Sequence, residues 1–513
     1  MKSSKERKLL PILTSILLTL AIYSGAIFIY LYASGWRLDL STQTIKQTGV
    51  LTIESTPVLA NITVNEQNKG RTNKSMTLDI GNYNVNVSKE GYFDWNKEVQ
   101  ILEELSTPVY PWLIQTEFEE KTTFTSDKTL ENYWADETDN HLVLLLKDDT
   151  GYALVHYDIN TEFWELANNP LVILSLENTE DNTFEEINII LSHSGEFAIL
   201  EVTDNEIFNR YVIPTNKIQD YSTVSKSPLN LSDFKDYEIQ WSYDEKYLIF
   251  QSDEEIISYD ITRNTKHLLL RKTNELDTWT TDDNGFFYIF KHLETSEKDI
   301  LKYSLLRYQL DGSSKLEIIP QVFLQNDSEY IKNFRATGFD FSFFTNSPDC
   351  TQTIGEITNF TVNQKAKGIY IQTDQSTYWY DMTTGKYITI APYPVELIAF
   401  SPNNKKLLFK NSTYEVFTFD KEDGDHTKKI GTKAIDNLLF DQIEDINWIS
   451  NSSYISIEED NFIYIADKDG DNKTPLISNE NILYWTVTKE RENLFTLTYN
   501  EETGVNIIVY TIH

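Results

Sequence analysis

The sequence predicts an all-β protein behind a single N-terminal transmembrane helix: a small β-sandwich, then a β-propeller of seven or eight blades. Three observations carry that prediction. Leu9–Ala33 is 25 residues long without a charged side chain. Residues 49–114 hold short segments that alternate at period two, each with the mark of a strand buried on one face. From residue 133 onward, an anchor aromatic, a polar turn and apolar strands recur.

The apolar run comes first. At about 1.5 Å per residue, a helix of this length covers the roughly 30 Å hydrocarbon core with some tilt. Lys2, Lys5, Arg7 and Lys8 precede it against a single Glu6. Basic residues beside a first span stay cytoplasmic. The expectation is a cytoplasmic tail at 1–8, a transmembrane helix at 9–33 and everything later outside, on a cell membrane crossed once. Tyr30, Tyr32 and Trp36 fall where an outer aromatic belt belongs. A cleaved signal peptide is the rival reading, but its apolar core is usually about 7–15 residues, and Leu31-Tyr32-Ala33 is a poor cleavage site. Residues 34–48 alternate from Gly35 to Leu40 and break at Ser41-Thr42-Gln43, giving a juxtamembrane stalk or hairpin.

Charge narrows the partners. The net charge is −35, and residues 1–36 hold four basic side chains against one acidic, so the remainder carries −38. That excludes nucleic acid and close docking on anionic lipid. It suits divalent cations or basic partners without choosing between them. Cys350 is the sole cysteine, so no intrachain disulfide exists and stability must come from packing. With 30 Tyr, 27 Phe and 10 Trp there is material for a large β core.

Within 49–114, Leu51/Ile53, Ile62/Val64, Val85/Val87 and Val99/Ile101 are paired inward positions. Asn68-Lys69-Gly70 and Ile80-Gly81-Asn82 supply turns. Gly49-Val50-Leu51-Thr52-Ile53-Glu54-Ser55-Thr56-Pro57, then Ala60 to Asn65, then Gly70-Arg71-Thr72 resemble the PEGA domain of bacterial surface proteins. Gly81 to Tyr92 resembles that family's closing strand. Pro57-Val58-Leu59-Ala60 departs from the family's Pro-Glu-Gly-Ala, and Ile80 stands where proline would precede Gly81. The resemblance implies an extracytoplasmic sandwich that acts as an accessory or spacer, without catalytic residues.

Residues 115–513 are expected to form the propeller. Its clearest units run from Trp241 to Phe250 and from Ala399 to Phe409, with others anchored at Trp448 and Trp485. Further copies start at Trp134, Leu191, Trp279 and Phe360. One small sheet cannot bury both its faces, whereas a ring of them can. A stack of sandwich domains is the rival architecture, and the turn-rich linkers it needs are missing. Thr337–Gly355 reads as an inserted loop or a degenerate blade. Trp241-Ser242-Tyr243-Asp244-Glu245-Lys246 and Ser401-Pro402-Asn403-Asn404-Lys405 resemble the blade turns of TolB-like and WD40-like propellers. Those positions shape blades, so the resemblance carries over no binding residue.

Chemistry is sparse. There is no Gly-x-Ser-x-Gly elbow, and Ser192-His193-Ser194-Gly195 sits where other repeats place a turn. Histidines 141, 156, 193, 267, 292, 426 and 513 show no zinc spacing and read as scattered. Asp467, Asp469 and Asp471, around Gly470, are the metal candidates, for calcium, although no bidentate acid closes the loop. Asp311-Gly312 and Asp423-Gly424-Asp425 are similar turns, which favours plain hairpins. No catalytic or cofactor-binding residue is assigned. The leading expectation is a non-enzymatic membrane-anchored protein whose propeller binds a protein, peptide or envelope glycan. The alternative is a polysaccharide hydrolase or lyase using channel carboxylates.

Overall fold

The computed structural model describes residues 6–33, 36–39, 44–103, 106–159, 170–179, 183–226, 231–271, 278–293 without 283, and 302–323 without 314. It continues with 356–410 without 384–385, 414–418, and 443–512 without 450–451, 479–480 and 489–492. Cys350, the stretch Thr337–Gly355 and Asp423-Gly424-Asp425 lie outside the described residues.

The apolar run is one helix, α1 (Glu6–Ala33). Ile16, Leu17, Leu18, Leu20 and Ile22 are each more than half exposed among the described residues. Among the described residues, no helix is long and apolar enough to cross a membrane. Membrane crossing by Leu9–Ala33 is therefore not a finding of the structure. After α1 the chain makes a hairpin: β1 (Trp36–Asp39) pairs antiparallel with β2 (Thr44–Ile53), Trp36 opposite Gln47. Of the two readings of 34–48, the hairpin forms.

β2 carries on into the sandwich. One sheet joins β1, β2 and β5 (Lys74–Asp79), with β8 (Ser106–Val109) parallel to β2. The other is ordered β4 (Gln67–Arg71), β3 (Asn61–Val64), β6 (Gly81–Ser88), β7 (Trp95–Ile101). All eight paired inward positions read from the sequence are buried in one cluster between these sheets. Gly81 takes φ +152° at its turn, a value that glycine tolerates. Asn68-Lys69-Gly70, expected as a turn, lies instead in β4, with Gly70 at φ +104° beside a register shift. The β3–β4 reversal falls at Asn65-Glu66, both at positive φ.

Beyond the sandwich stand eight sheets: blade 1 (129–177), blade 2 (184–214), blade 3 (238–271), blade 4 (278–323), blade 5 (357–391), blade 6 (396–418), blade 7 (443–478) and blade 8 (482–511). Of the seven or eight blades the repeats allowed, the described residues form eight. Their packing shows a closed ring. Eight apolar clusters each join one blade to the next, from Leu145 with Leu200 between blades 1 and 2 round to Phe495 with Leu144 between blades 8 and 1. Because a neighbour covers each face of a blade, second strands are buried on both sides, as in Leu142–Leu146 and Leu407–Phe409.

The ring is fastened by a strand from outside the repeats. β9 (Glu119–Ser126) pairs antiparallel with the last strand of the chain, Gly504–Thr511, as the fourth strand of blade 8. Periodicity alone missed it, since a lone strand before the first repeat has no anchor aromatic.

The anchors and turns do one job repeatedly. Trp241 and Trp448 donate their indole N–H to carbonyls of the preceding blade, Ile190 at 3.0 Å and Ala399 at 3.4 Å. Trp485 bonds Glu458 of blade 7 at 2.7 Å. After the first strand of a blade the chain reverses in a four-residue turn, as from Ser192 to Gly195, Ser242 to Glu245 and Ser401 to Asn404. The last residue of each turn has positive φ, between 57° and 71° in these three. The opening serine accepts a backbone N–H across the turn, Phe197 on Ser192 and Tyr247 on Ser242. Ser192-His193-Ser194-Gly195 is thus a blade turn.

Candidate functional site: the sandwich junction and the channel mouth

Two places bring charged side chains together. The first is where the sandwich meets the propeller. β7 is an edge strand, so Lys97 can reach past its own sheet. Its ammonium lies 2.8 Å from Asp467 Oδ2, 2.7 Å from Asp469 Oδ2 and 3.8 Å from Asp471 Oδ2. The three metal candidates therefore surround a lysine supplied by the other domain. Among the described residues, no group of three or more metal-ligating side chains could hold a metal ion.

The turn is built to present those oxygens. Gly470, at φ +85°, donates to Asp467 O at 2.7 Å, and Asp467 donates back to Asp471 O at 2.8 Å. Asn472 steadies Asp467 at 3.2 Å and accepts the Asn96 backbone N–H at 2.8 Å. The Trp95 indole reaches Asp467 Oδ1 at 3.3 Å. Burial alone would lower the Lys97 ammonium, but Asp467 and Asp469 more than offset it and hold it above the ordinary lysine value. Burial pushes the Asp467 carboxyl up, and the Lys97 charge pulls it back. Beside this cluster, Trp112 N–H donates to Tyr454 Oη at 2.7 Å with the rings edge-on, 5.5 Å apart. A polar groove of about 640 Å³ opens next to it on β3, β6 and β7, lined by Thr63, Glu66, Asn84, Asn86, Asn96 and Glu98.

The second place is the axis of the ring. The first strands of blades 1 and 2, 4 and 5, and 6 and 7 touch one another, which puts the first strands innermost. Those eight strands contain seven carboxylates and no basic side chain. Glu131, Glu185, Glu186, Glu238, Glu396, Glu444 and Asp445 are all exposed, and all lie in the first three residues of their strands. They therefore share one end of the channel. In six of the eight blades the register slips by one residue there, a bulge that re-aims side chains such as Glu131 and Glu444. Although Asp445 keeps an exposed surface, partial desolvation by the neighbouring strands pushes its carboxyl above the usual range, and Glu458 adds to the push.

The two places lie on opposite faces. In an antiparallel four-stranded blade, the turn after the first strand and the turn after the third emerge on one side. Asp467–Asn472 is such a third-strand turn, so the sandwich sits on that side. The carboxylates stand at the starts of the first strands, at the other end. Sequence reading named Asp467, Asp469 and Asp471 but not their partner: Lys97 is 370 residues away, and no local pattern marks it.

Comparison with known proteins agrees in part. Residues 48–117 match the PEGA domain. No curated protein is similar enough to the chain to count as a match. Among solved structures, the C-terminal WD40 domain of Sif2 aligns with 76% of this chain and 97% of its own, at 10% identity and TM-score 0.39. The WD40 domain of SCAP from fission yeast covers 77% and 98%, at 9% identity and TM-score 0.38. Prolyl oligopeptidase B from Galerina marginata covers 75% and 56%, at 13% identity and TM-score 0.38. At such scores the assignment of a propeller rests on strand order and ring closure, not on these likenesses.

Proposed function

We propose that the chain is a non-enzymatic binding scaffold, tethered to a cell membrane by Leu9–Ala33, with residues 34–513 outside. In this reading the sandwich is a mount and the propeller binds a protein or peptide partner on its free face. One observation supports it above others: the sandwich meets one face of a closed ring, and the carboxylate-bearing ends of the first strands lie at the other. Seven exposed carboxylates, of which only Glu131 makes an ion pair among the described residues, with Lys147 at 3.3 Å, favour a cationic partner, which makes a basic peptide the first ligand to test. The apolar, uncharged run and its basic flank support the tether.

The test has two arms. Full-length protein should remain in the membrane pellet after an alkaline carbonate wash, and protease added to intact cells should digest the propeller. Release by the wash would sink the tether. Detergent-solubilised full-length protein should bind an oligolysine peptide by calorimetry, more weakly as salt rises, and a Glu444→Gln/Asp445→Asn variant should bind less. Equal binding by the variant would remove the mouth from the reading.

A further inference from the structure

Three of the histidines that read as scattered meet where blade 1 adjoins blade 2. His141 opens the second strand of blade 1 and His156 lies near the end of the third. Antiparallel pairing sets His141 opposite Asp158, which brings the two rings face to face. Their centroids are 5.1 Å apart, and His141 Nδ1 lies 3.1 Å from His156 Nε2. At that distance one nitrogen donates and the other accepts, so a single proton sits between the rings. Two imidazolium ions would point N–H at N–H and repel.

The pair has little room to separate. His156 is only 8% exposed. Gly195, in the first turn of blade 2, lies flat on the His141 ring, where an added Cβ would fall 2.5 Å from it. The same turn supplies His193, whose Nδ1 is 2.9 Å from Glu137 Oε2 of blade 1 and whose ring packs on Tyr243 of blade 3. Among the described residues, the ionisable groups around the pair are Asp136 and Asp158 of blade 1, with Glu137 and His193 beside them at the seam. Asp136 is already committed: its Oδ1 accepts the backbone N–H of His141 at 2.7 Å and of Asn140 at 2.8 Å.

We propose that the His141–His156 pair makes the seam between blades 1 and 2 an acid-released joint, closed while the rings share one proton and opened when His156 takes up a further one. Burial first, and His141 second, pull His156 down to about 4 against the opposing pull of Asp158 and Asp136. A histidine lowered in the folded state gives its full stabilisation above the unfolded value of 6.5, and loses it as pH falls through about 4. The full loss corresponds to roughly three-hundredfold in the local opening equilibrium.

Amide exchange on the full-length protein in detergent, corrected for intrinsic rates, tests this. Between pH 7.5 and pH 4, peptides covering 141–158 and 192–197 should lose protection by at least about tenfold, while peptides of blade 5 do not. His156→Gln keeps a neutral, hydrogen-bonding side chain and should remove the pH response of the seam. Unchanged seam protection at pH 4, a loss spread equally over all blades, or a His156→Gln protein that still opens in acid would each overturn the proposal. Should His156→Gln fail to fold, the wild-type comparison of the seam with blade 5 decides alone.

Discussion

The chain closes its ring and mounts its sandwich by different physics. At the ring closure, β9 lies along Gly504–Thr511 through paired residues from Glu119 to Ser126. The bonds are backbone bonds, and apolar side chains such as Phe124 and Val509 pack beneath them. At the mount, a few side chains do the work: Lys97 among three carboxylates, Asn96 on Asn472, and Trp112 on Tyr454. The closure therefore tolerates most side-chain exchanges but no change in backbone path. The mount keeps its backbone path under mutation but depends on single residues.

The largest effect should come from the closure's backbone. Gly504 has φ +72°, and a Cβ there would lie 2.1 Å from Ser126 O. Gly504→Val should cost roughly 3 kcal/mol or more, because β9 must leave the sheet edge, and chemical denaturation of the full chain reads it. A variant as stable as wild type would mean that β9 does not fasten the ring.

Next comes the mount. Lys97→Met leaves the buried Asp467 without its cation. A fully dry ion pair broken on one side costs about 3–5 kcal/mol. Lys97 is 22% exposed, so about 2 kcal/mol is expected here. Calorimetry should then resolve the sandwich and propeller as separate transitions, and adding Asp467→Asn should restore part of the coupling. A single unaltered transition would show that the Trp112–Tyr454 contact suffices. The raised Lys97 value means the ion cluster is intact below the ordinary lysine pKa of 10.5 and is lost only when strong alkali exceeds the folded value.

The smallest effect belongs to the turns that neither region shares. Ser242→Ala removes the acceptor for Tyr247 N–H, and Ser401→Ala does the same for Lys406 N–H. Each should cost about 1 kcal/mol, and the two should add, since they lie in different blades. Marked non-additivity would indicate that the ring transmits strain between distant turns.

Local pattern made much of this legible. The sandwich core pairs, the anchor tryptophans and the blade turns follow from period, aromatics and turn chemistry within windows of about ten residues. What was missed is non-local. β9 carries no repeat signature, Lys97 looks like any lysine on an edge strand, and His141, His156 and His193 are separated by 15 and 37 positions that folding closes. The bulges at the inner strands were equally invisible, because an inserted residue leaves no mark that composition can show. The carboxylates of the mouth were countable among the 79 acidic residues, but only strand register sorts them to one end.

β2 has a mechanical consequence. Gln47 stands beside Trp36 where the helix hands over to the sheet, and Ile53 lies at the end of the sandwich nearest the propeller. Between them runs one unbroken strand of about 20 Å at roughly 3.3 Å per residue. A coil of that many residues would act as a spring, letting the propeller wander and soften any pull. A paired strand behaves instead as a rigid rod, so a twist or tilt applied at its Gln47 end reaches the ring as motion rather than slack.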